Sequence, residues 1–313
     1  MVNLKEHVQK QKRIASGHRM CPGCGLAIAA KNILRSTDFP VVVSNATGCL
    51  EVSTTIYPFS SWEVPWIHIA FENAAASISG VETAYRALKK RDRLPGGEKD
   101  IKFVAFGGDG GTYDIGFQSL SGAAERGHDF AYFCLDNEGY MNTGIQRSSA
   151  TPFGADTKTT PAGKVEQGKT QRRKDIVGIM ASHHIPYVAQ TNIWNWNDMI
   201  TKAKKAIETP GPAFVNVLCP CVPGWNEGAD QTIEISKLAV ETNFWPLYEI
   251  ENGVWKLNYE PTQKKPITEF LKTQKRFAHL FRPENSKMLE EAQKQVDDDF
   301  ERIKKMCSIP QEK

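Results

Sequence analysis

The sequence predicts an α/β fold, a doubly wound and mostly parallel sheet. Three observations carry that expectation: short apolar runs rich in β-branched residues alternate with longer helical patterns, one glycine-rich motif joins two such runs as strand, helix, strand, and the motif-bearing residues fall just past strand ends. In chain order, Leu26 to Leu34 has helical spacing, and Val41-Val42-Val43-Ser44 reads as a buried strand. Asn73 to Lys90 is an Ala-rich helix that ends in basic residues, as a helix C-terminus favours. Ile101 to Phe106 is a strand ending in glycines, Gly116 to Arg126 the helix after it, and Phe130 to Leu135 the next strand. Two more strands are expected at Tyr187-Val188-Ala189 and Phe214 to Val217, with the helix Trp196 to Ile207 between them. Right-handed crossovers between such units put a site at the strand C-termini. Residues 1–225 are read as this α/β domain. Residues 226–313 are read as a C-terminal extension, an arm including Trp245-Pro246-Leu247-Tyr248 and a helix over Lys287 to Met306, placed to pack on a partner subunit.

Composition narrows the function classes. No run approaches the roughly 18 apolar residues needed to span a bilayer, so no membrane role is expected. A net charge of +3, from 39 basic and 36 acidic residues, gives no support to nucleic-acid binding. Seven cysteines, an odd number, with no apolar signal segment at the charged N-terminus, argue against a secreted disulfide framework and for a reducing, cytoplasmic setting. The polar stretch from Thr143 to Lys174, with its basic run Lys169 to Lys174, is read as a long loop with a solvated basic surface.

The central motif is Gly107-Gly108-Asp109-Gly110-Gly111, with Asp136-Asn137-Glu138-Gly139 after the following strand. Alone, the glycines fit an ordinary turn equally well. The pairing favours a thiamine diphosphate site: glycines let backbone N–H groups approach a diphosphate, and Gly108, Gly110 and Gly111 stand where a helix begins. Side by side, Asp109, Asn137 and a main-chain carbonyl near Gly139 would give Mg²⁺ the oxygen ligands it takes when shared with a phosphate. Thr47 and Gly48, after the Val41 strand, would bring backbone close to the same cofactor.

Cysteines supply a second pattern. Cys21-Pro22-Gly23-Cys24 is a CxxC pair, which alone suits zinc, redox chemistry or iron and sulfur. Its distant companions are Cys49 and Cys219-Pro220-Cys221, single sites rather than a second tight pair, a layout closer to a [4Fe–4S] cluster than to zinc. Cys134, in an apolar strand, is read as core packing.

Gly108-Asp109-Gly110 with Asn137, the run Tyr140-Met141-Asn142-Thr143-Gly144-Ile145-Gln146, and Ala150-Thr151-Pro152 resemble the thiamine-binding β subunit of 2-oxoacid:ferredoxin oxidoreductases, the pyruvate synthase type, a family that includes the related oxalate oxidoreductase. The resemblance runs from Gly17-His18-Arg19 to about Asn252. It implies thiamine diphosphate, Mg²⁺ and one [4Fe–4S] cluster held by Cys21, Cys24, Cys49 and one of the Cys-Pro-Cys pair. Cys221 is the expected fourth ligand, since Cys219 occupies the alanine place of the family pattern. Asn142 would face the substrate and steady a developing oxyanion. Further implications are partner α, γ and ferredoxin-like δ subunits, electron transfer to ferredoxin, and coenzyme A as acyl acceptor. The substrate would be a 2-oxoacid, with pyruvate favoured over oxalate. The glutamate that polarises the aminopyrimidine lies on the α subunit in that family, so this chain would be half an active site. Two rival classes are a thiamine decarboxylase whose cysteines hold structural zinc, and a non-catalytic subunit whose glycine motif is only a tight loop.

Overall fold

A computed structural model of the chain describes residues 2–97 and 100–309. Its eight strands are β1 (Val41–Ala46), β2 (Trp66–Ile69), β3 (Lys102–Gly108), β4 (Ala131–Asp136), β5 (Tyr187–Asn192), β6 (Ala213–Leu218), β7 (Leu247–Glu251) and β8 (Val254–Tyr259). They form one sheet of order β2-β1-β3-β4-β6-β5-β7-β8. The first six run parallel, while β7 and β8 pair antiparallel at one edge. Among the described residues ten α-helices accompany the sheet: α1 (Leu4–Gln9), α2 (Gly25–Arg35), α3 (Cys49–Thr54), α4 (Ala74–Lys90), α5 (Phe117–Glu125), α6 (Ile176–Ala181), α7 (Trp196–Glu208), α8 (Thr232–Glu241), α9 (Ile267–Leu271) and α10 (Ser286–Ser308). The doubly wound α/β expectation holds.

Side-chain alternation explains the layers. Val104 and Phe106 of β3 pack in one core with Leu26, Ala29 and Ile33 of α2 and Met199 and Ala203 of α7. Their neighbours Phe103 and Ala105 join Ile78 of α4, Leu120 of α5 and Val177 of α6 on the opposite face. With helices on both faces, the central strands are buried on both sides, which is why they open as continuous apolar runs, while Ser44, Asn45, Gln190, Thr191, Asn192 and Asn216 are buried polar exceptions.

The C-terminal extension differs from the expected arm. Leu247–Glu251 and Val254–Tyr259 form a hairpin that extends the sheet, β7 pairing with β5 through Val188 and Ile250. Asn252 and Gly253 turn it, both with positive φ (51° and 82°), as a two-residue hairpin loop requires. A third core gathers Trp225, Trp245, Phe270 and Phe277 against α8 and α9. The expected helix near Lys287 is α10, which returns Ile303 to the second core.

Strand order reverses between β1 and β3, all three strands staying parallel: β2 lies on one side of β1, and β3 with β4 and β6 on the other. The crevice beyond the C-terminal ends at such a switch point is where open α/β sheets bind ligands. Register aligns those ends, since Gly108 pairs with Leu135 and Asp136 with Leu218. The segments after β1, β3, β4 and β6 therefore emerge together.

Candidate active site

Thr47, Gly48, Cys49, Gly108, Asp109, Gly110, Gly111, Asn137, Gly139 and Asn142 line one cleft, completed by Phe71, Tyr140, Met141 and Thr143. A Cβ on Gly108 or Gly48 would enter empty space, whereas one on Gly110 would lie 2.3 Å from the Tyr140 ring. The glycines thus serve two ends: Gly108 opens the cleft, and Gly110 lets Tyr140 close over the turn, where its hydroxyl donates to Gly110 O at 3.0 Å. After Asp109 the chain winds as a wide turn with i+5 bonding over Gly110–Ile115 before α5 begins, an irregularity common at functional sites.

Asp109 is fully buried. Its Oδ2 accepts a 2.5 Å hydrogen bond from Ser148 Oγ, and Oδ1 faces the Asn137 main-chain N–H at 3.4 Å. Burial, then the nearby Asp136 carboxylate, pushes the Asp109 carboxyl well above the usual range; a bound cation would reverse that logic. The Asn137 side-chain amide sits between Asp109 Oδ1 and Gly139 O. With nitrogen inward it would donate to them at 2.9 and 3.0 Å; with oxygen inward, three acceptors face one another and no donor. Separations near 2.9 Å match the octahedral edge of a cation bound at about 2.0–2.1 Å. These residues fit a magnesium ion.

Asp136 and Glu138 point away from the cleft. Arg173 spans both, donating to Glu138 Oε1 at 2.8 Å and bonding Asp136 Oδ2, while Tyr113 OH donates to Asp136 at 2.7 Å. Arg276 reaches Glu138 Oε2 at 2.5 Å. The basic run is accordingly not the solvated surface expected: Lys169 is 1% exposed with its ammonium on the Ser149 and Thr151 carbonyls, and Lys174 bonds Tyr113 O. Arg173 and Arg276 are the residues sequence reasoning missed. Nothing local marks them, because their partners lie 35 and 138 positions away.

The cysteine segments meet beside the cleft. Gly25 N donates to Pro220 O at 3.3 Å, laying the Cys21–Cys24 loop against the Cys219–Cys221 loop, and Thr232 Oγ1 at the start of α8 donates to Gly23 O at 2.7 Å. A Cβ at Gly25 would sit 2.9 Å from the Cys219 backbone. The Cys221 thiol feels Cys49, Cys24 and Cys21, and burial above all pushes it up to about 12. Burial likewise raises Cys49 to about 11, against an opposing hydrogen bond from the Asn142 side chain, and raises Cys24. Of these cysteines, Cys219 feels Cys24 alone; it is fully buried in the core beside α2. Among the described residues, no three His, Cys, Asp or Glu side chains converge as a single-ion site requires. Cys134 is core packing, as expected. Glu51 is buried and bonds His68 Nδ1 at 2.9 Å.

Fold and cleft define a thiamine diphosphate enzyme, and residues 46–217 match the family model for the C-terminal, cofactor-binding domain of thiamine pyrophosphate enzymes. The chain is 50% identical to the pyruvate synthase subunit PorB of Thermotoga maritima, covering 100% of this chain and 98% of that one. It is 53% identical to the subunit of the same name from Methanocaldococcus jannaschii, over 95% and 94% of the two chains. Ketoisovalerate oxidoreductase subunit VorB of Pyrococcus abyssi is 40% identical over 96% and 94%. The chain belongs to the family of thiamine diphosphate-binding β subunits of 2-oxoacid:ferredoxin oxidoreductases. A solved 2-oxoglutarate:ferredoxin oxidoreductase from Magnetococcus marinus shares the fold, at a TM-score of 0.55 and 20% identity over 72% of this chain and 79% of that one.

Proposed function

We propose that this chain is the β subunit of a pyruvate:ferredoxin oxidoreductase, holding thiamine diphosphate through Mg²⁺ and one [4Fe–4S] cluster. The observation that carries the reading is the oxygen triad of Asp109, Asn137 and Gly139 at magnesium spacing, within a glycine-lined cleft that Cys49 shares. Asp109, Asn137 Oδ1 and the Gly139 carbonyl hold the cation, and Gly108, Gly110, Gly111, Thr47 and Gly48 leave room for the diphosphate. Bound there, thiamine diphosphate supplies a nucleophilic carbon for the 2-oxo group and an electron sink once CO₂ leaves.

Asn142, on the cleft wall, presents its amide to the reacting oxygen and steadies the charge that develops there. Cys21, Cys24, Cys49 and Cys221 would hold the cluster, with Cys219 left as packing; bound there, it would supply a one-electron acceptor beside the cleft. The rival zinc reading would draw on the same cysteines, and metal analysis of the complex separates the two.

Asp109 is the only acid among the described residues lining the cleft. The acid that polarises the aminopyrimidine therefore comes from a partner, the α subunit. Apolar side chains support that interface: Tyr57 is 94% and Phe59 77% exposed just past α3, and Ile115 is half exposed at the end of the glycine turn. Residues 1–225 carry the cleft and cluster, while 226–313 supplies the outer strands and Arg276 and meets other subunits, γ and the ferredoxin-like δ. No helix among the described residues is long and apolar enough to cross a membrane; the cytoplasm of an anaerobe is the setting we propose.

The test is acceptor reduction by the anaerobic complex with pyruvate, 2-oxoisovalerate and oxalate, each with and without coenzyme A. Pyruvate with coenzyme A should reduce ferredoxin fastest. Fastest turnover of oxalate without coenzyme A would assign a different substrate, and no reduction with any 2-oxoacid would overturn the reading.

A further inference from the structure

Asn137 and Gly139 flank Glu138, a residue in the left-handed region, with φ of 65°. A glutamate gains nothing locally from that conformation. What holds it is the satisfaction of every polar group it has. Its N–H donates to Asp136 Oδ1 at 3.0 Å, and its carbonyl accepts from Thr151 Oγ1 at 2.7 Å. Its carboxylate oxygens are divided between Arg173 at 2.8 Å and Arg276 at 2.5 Å.

Arg276 is itself fixed from three sides. Gln274 Oε1 accepts from its Nε at 2.9 Å and Nη2 at 2.7 Å, and its guanidinium lies 4.0 Å from the centre of the Trp225 ring. That same indole donates to Asn137 O at 2.8 Å. One buried guanidinium, 5% exposed, thereby braces both residue 138 and, through Trp225, residue 137. A planar fork gripping at several donors resists displacement in a way that an ammonium does not.

Three oxygens on so stiff a support have a fixed spacing, and spacing is what separates the two hard cations. The observed 2.9 and 3.0 Å match the octahedral edge of about 2.9 Å for magnesium, whereas calcium at about 2.3–2.6 Å in the same octahedral arrangement would spread those edges to about 3.3 Å or more. We propose that Arg276, with Arg173, acts through Glu138 as a positioning residue that sets the metal selectivity of the cofactor site, holding the Asp109, Asn137 and Gly139 oxygens at the size of magnesium and against expansion to calcium. The inference rests on the magnesium reading given under Proposed function.

The experiment uses the full complex, stripped with EDTA, supplied with thiamine diphosphate and titrated with Mg²⁺ or Ca²⁺ alone. Cofactor retained after equilibrium dialysis is read against metal concentration. In Arg276→Lys the Mg²⁺ midpoint should rise about 10–100-fold, the range for losing a residue that orients metal ligands, while the Ca²⁺ midpoint moves less, so the ratio of the two midpoints shrinks. Glu138→Gln, which keeps the shape and weakens both guanidinium contacts, should shift the ratio the same way and covers the case in which Arg276→Lys fails to assemble. A general loss of structure would move both midpoints by one factor. Equal shifts, or none, would overturn the inference while leaving the magnesium site standing. Cofactor retention by the wild-type complex that needs no metal would overturn the magnesium reading itself.

Discussion

Ser148 donates its hydroxyl hydrogen to Asp109 Oδ2 at 2.5 Å, so the buried carboxylate is aimed by a residue 39 positions away in a loop without regular structure. Removing that donor leaves a buried acceptor unpaired. Ser148→Ala should weaken magnesium-dependent cofactor binding about 10–100-fold, as seen by dialysis of the complex, with Ser148→Thr closer to wild type.

Two glycines of the motif should respond differently to the same substitution. Gly110→Ala puts a methyl group 2.3 Å from the Tyr140 ring and should cost about 1–3 kcal/mol of stability through overpacking. Gly108→Ala meets nothing within 4 Å, so the melting temperature should hold while thiamine diphosphate binding is lost. Parallel thermal and binding measurements separate the two; a Gly108→Ala protein that binds normally would move the diphosphate elsewhere.

The adjacent cysteines offer a similar contrast. Cys221→Ala should strip the broad iron–sulfur absorption of this chain's cluster, because its thiol is the one that shares a neighbourhood with Cys21, Cys24 and Cys49. Cys219→Ala, in the core, should keep the iron and cost about 1–2 kcal/mol of packing. Iron analysis showing the reverse would exchange their roles.

Glu227 has both carboxylate oxygens buried without a partner. Burial first, then Glu138, pushes its carboxyl up to about 7, against the pull of Arg276. Between about pH 4.5 and 7 the folded chain keeps a proton that the unfolded chain has released, so stability falls as pH rises through that window. Glu227→Gln should therefore stabilise above pH 7, by on the order of 2 kcal/mol given partial solvent access, and do little near pH 4.5. Melting curves at the two ends check the sign, and a destabilised variant at pH 7.5 would show that the charge is paired in the complex.

Much of this was legible in the sequence because the parallel core is locally encoded. Continuous apolar runs mark β1, β3, β4 and β6, and glycines mark the crevice. The hairpin of β7 and β8 has a short-range turn signal of its own, Asn252-Gly253 between Leu247–Glu251 and Val254–Tyr259, although the segment is read from sequence as an arm. Strand β2 is only four residues long and follows Pro65, so it left too short a pattern to read. Arg173 and Arg276 could not be found at all from spacing. A basic residue becomes a buried clamp only when a distant segment brings it the carboxylates of Asp136 and Glu138, and that is a property of the folded chain.

The central claim is tested most directly by anaerobic thiamine, magnesium, iron and sulfide analysis of the complex, wild type beside Asp109→Ala. The account predicts one thiamine diphosphate and one Mg²⁺ per β chain in the wild type, with at least about four iron and four sulfide for its cluster. It also predicts loss of cofactor and magnesium, but not iron, in Asp109→Ala. Zinc in place of iron, or thiamine diphosphate fully retained without the Asp109 carboxylate, would contradict it.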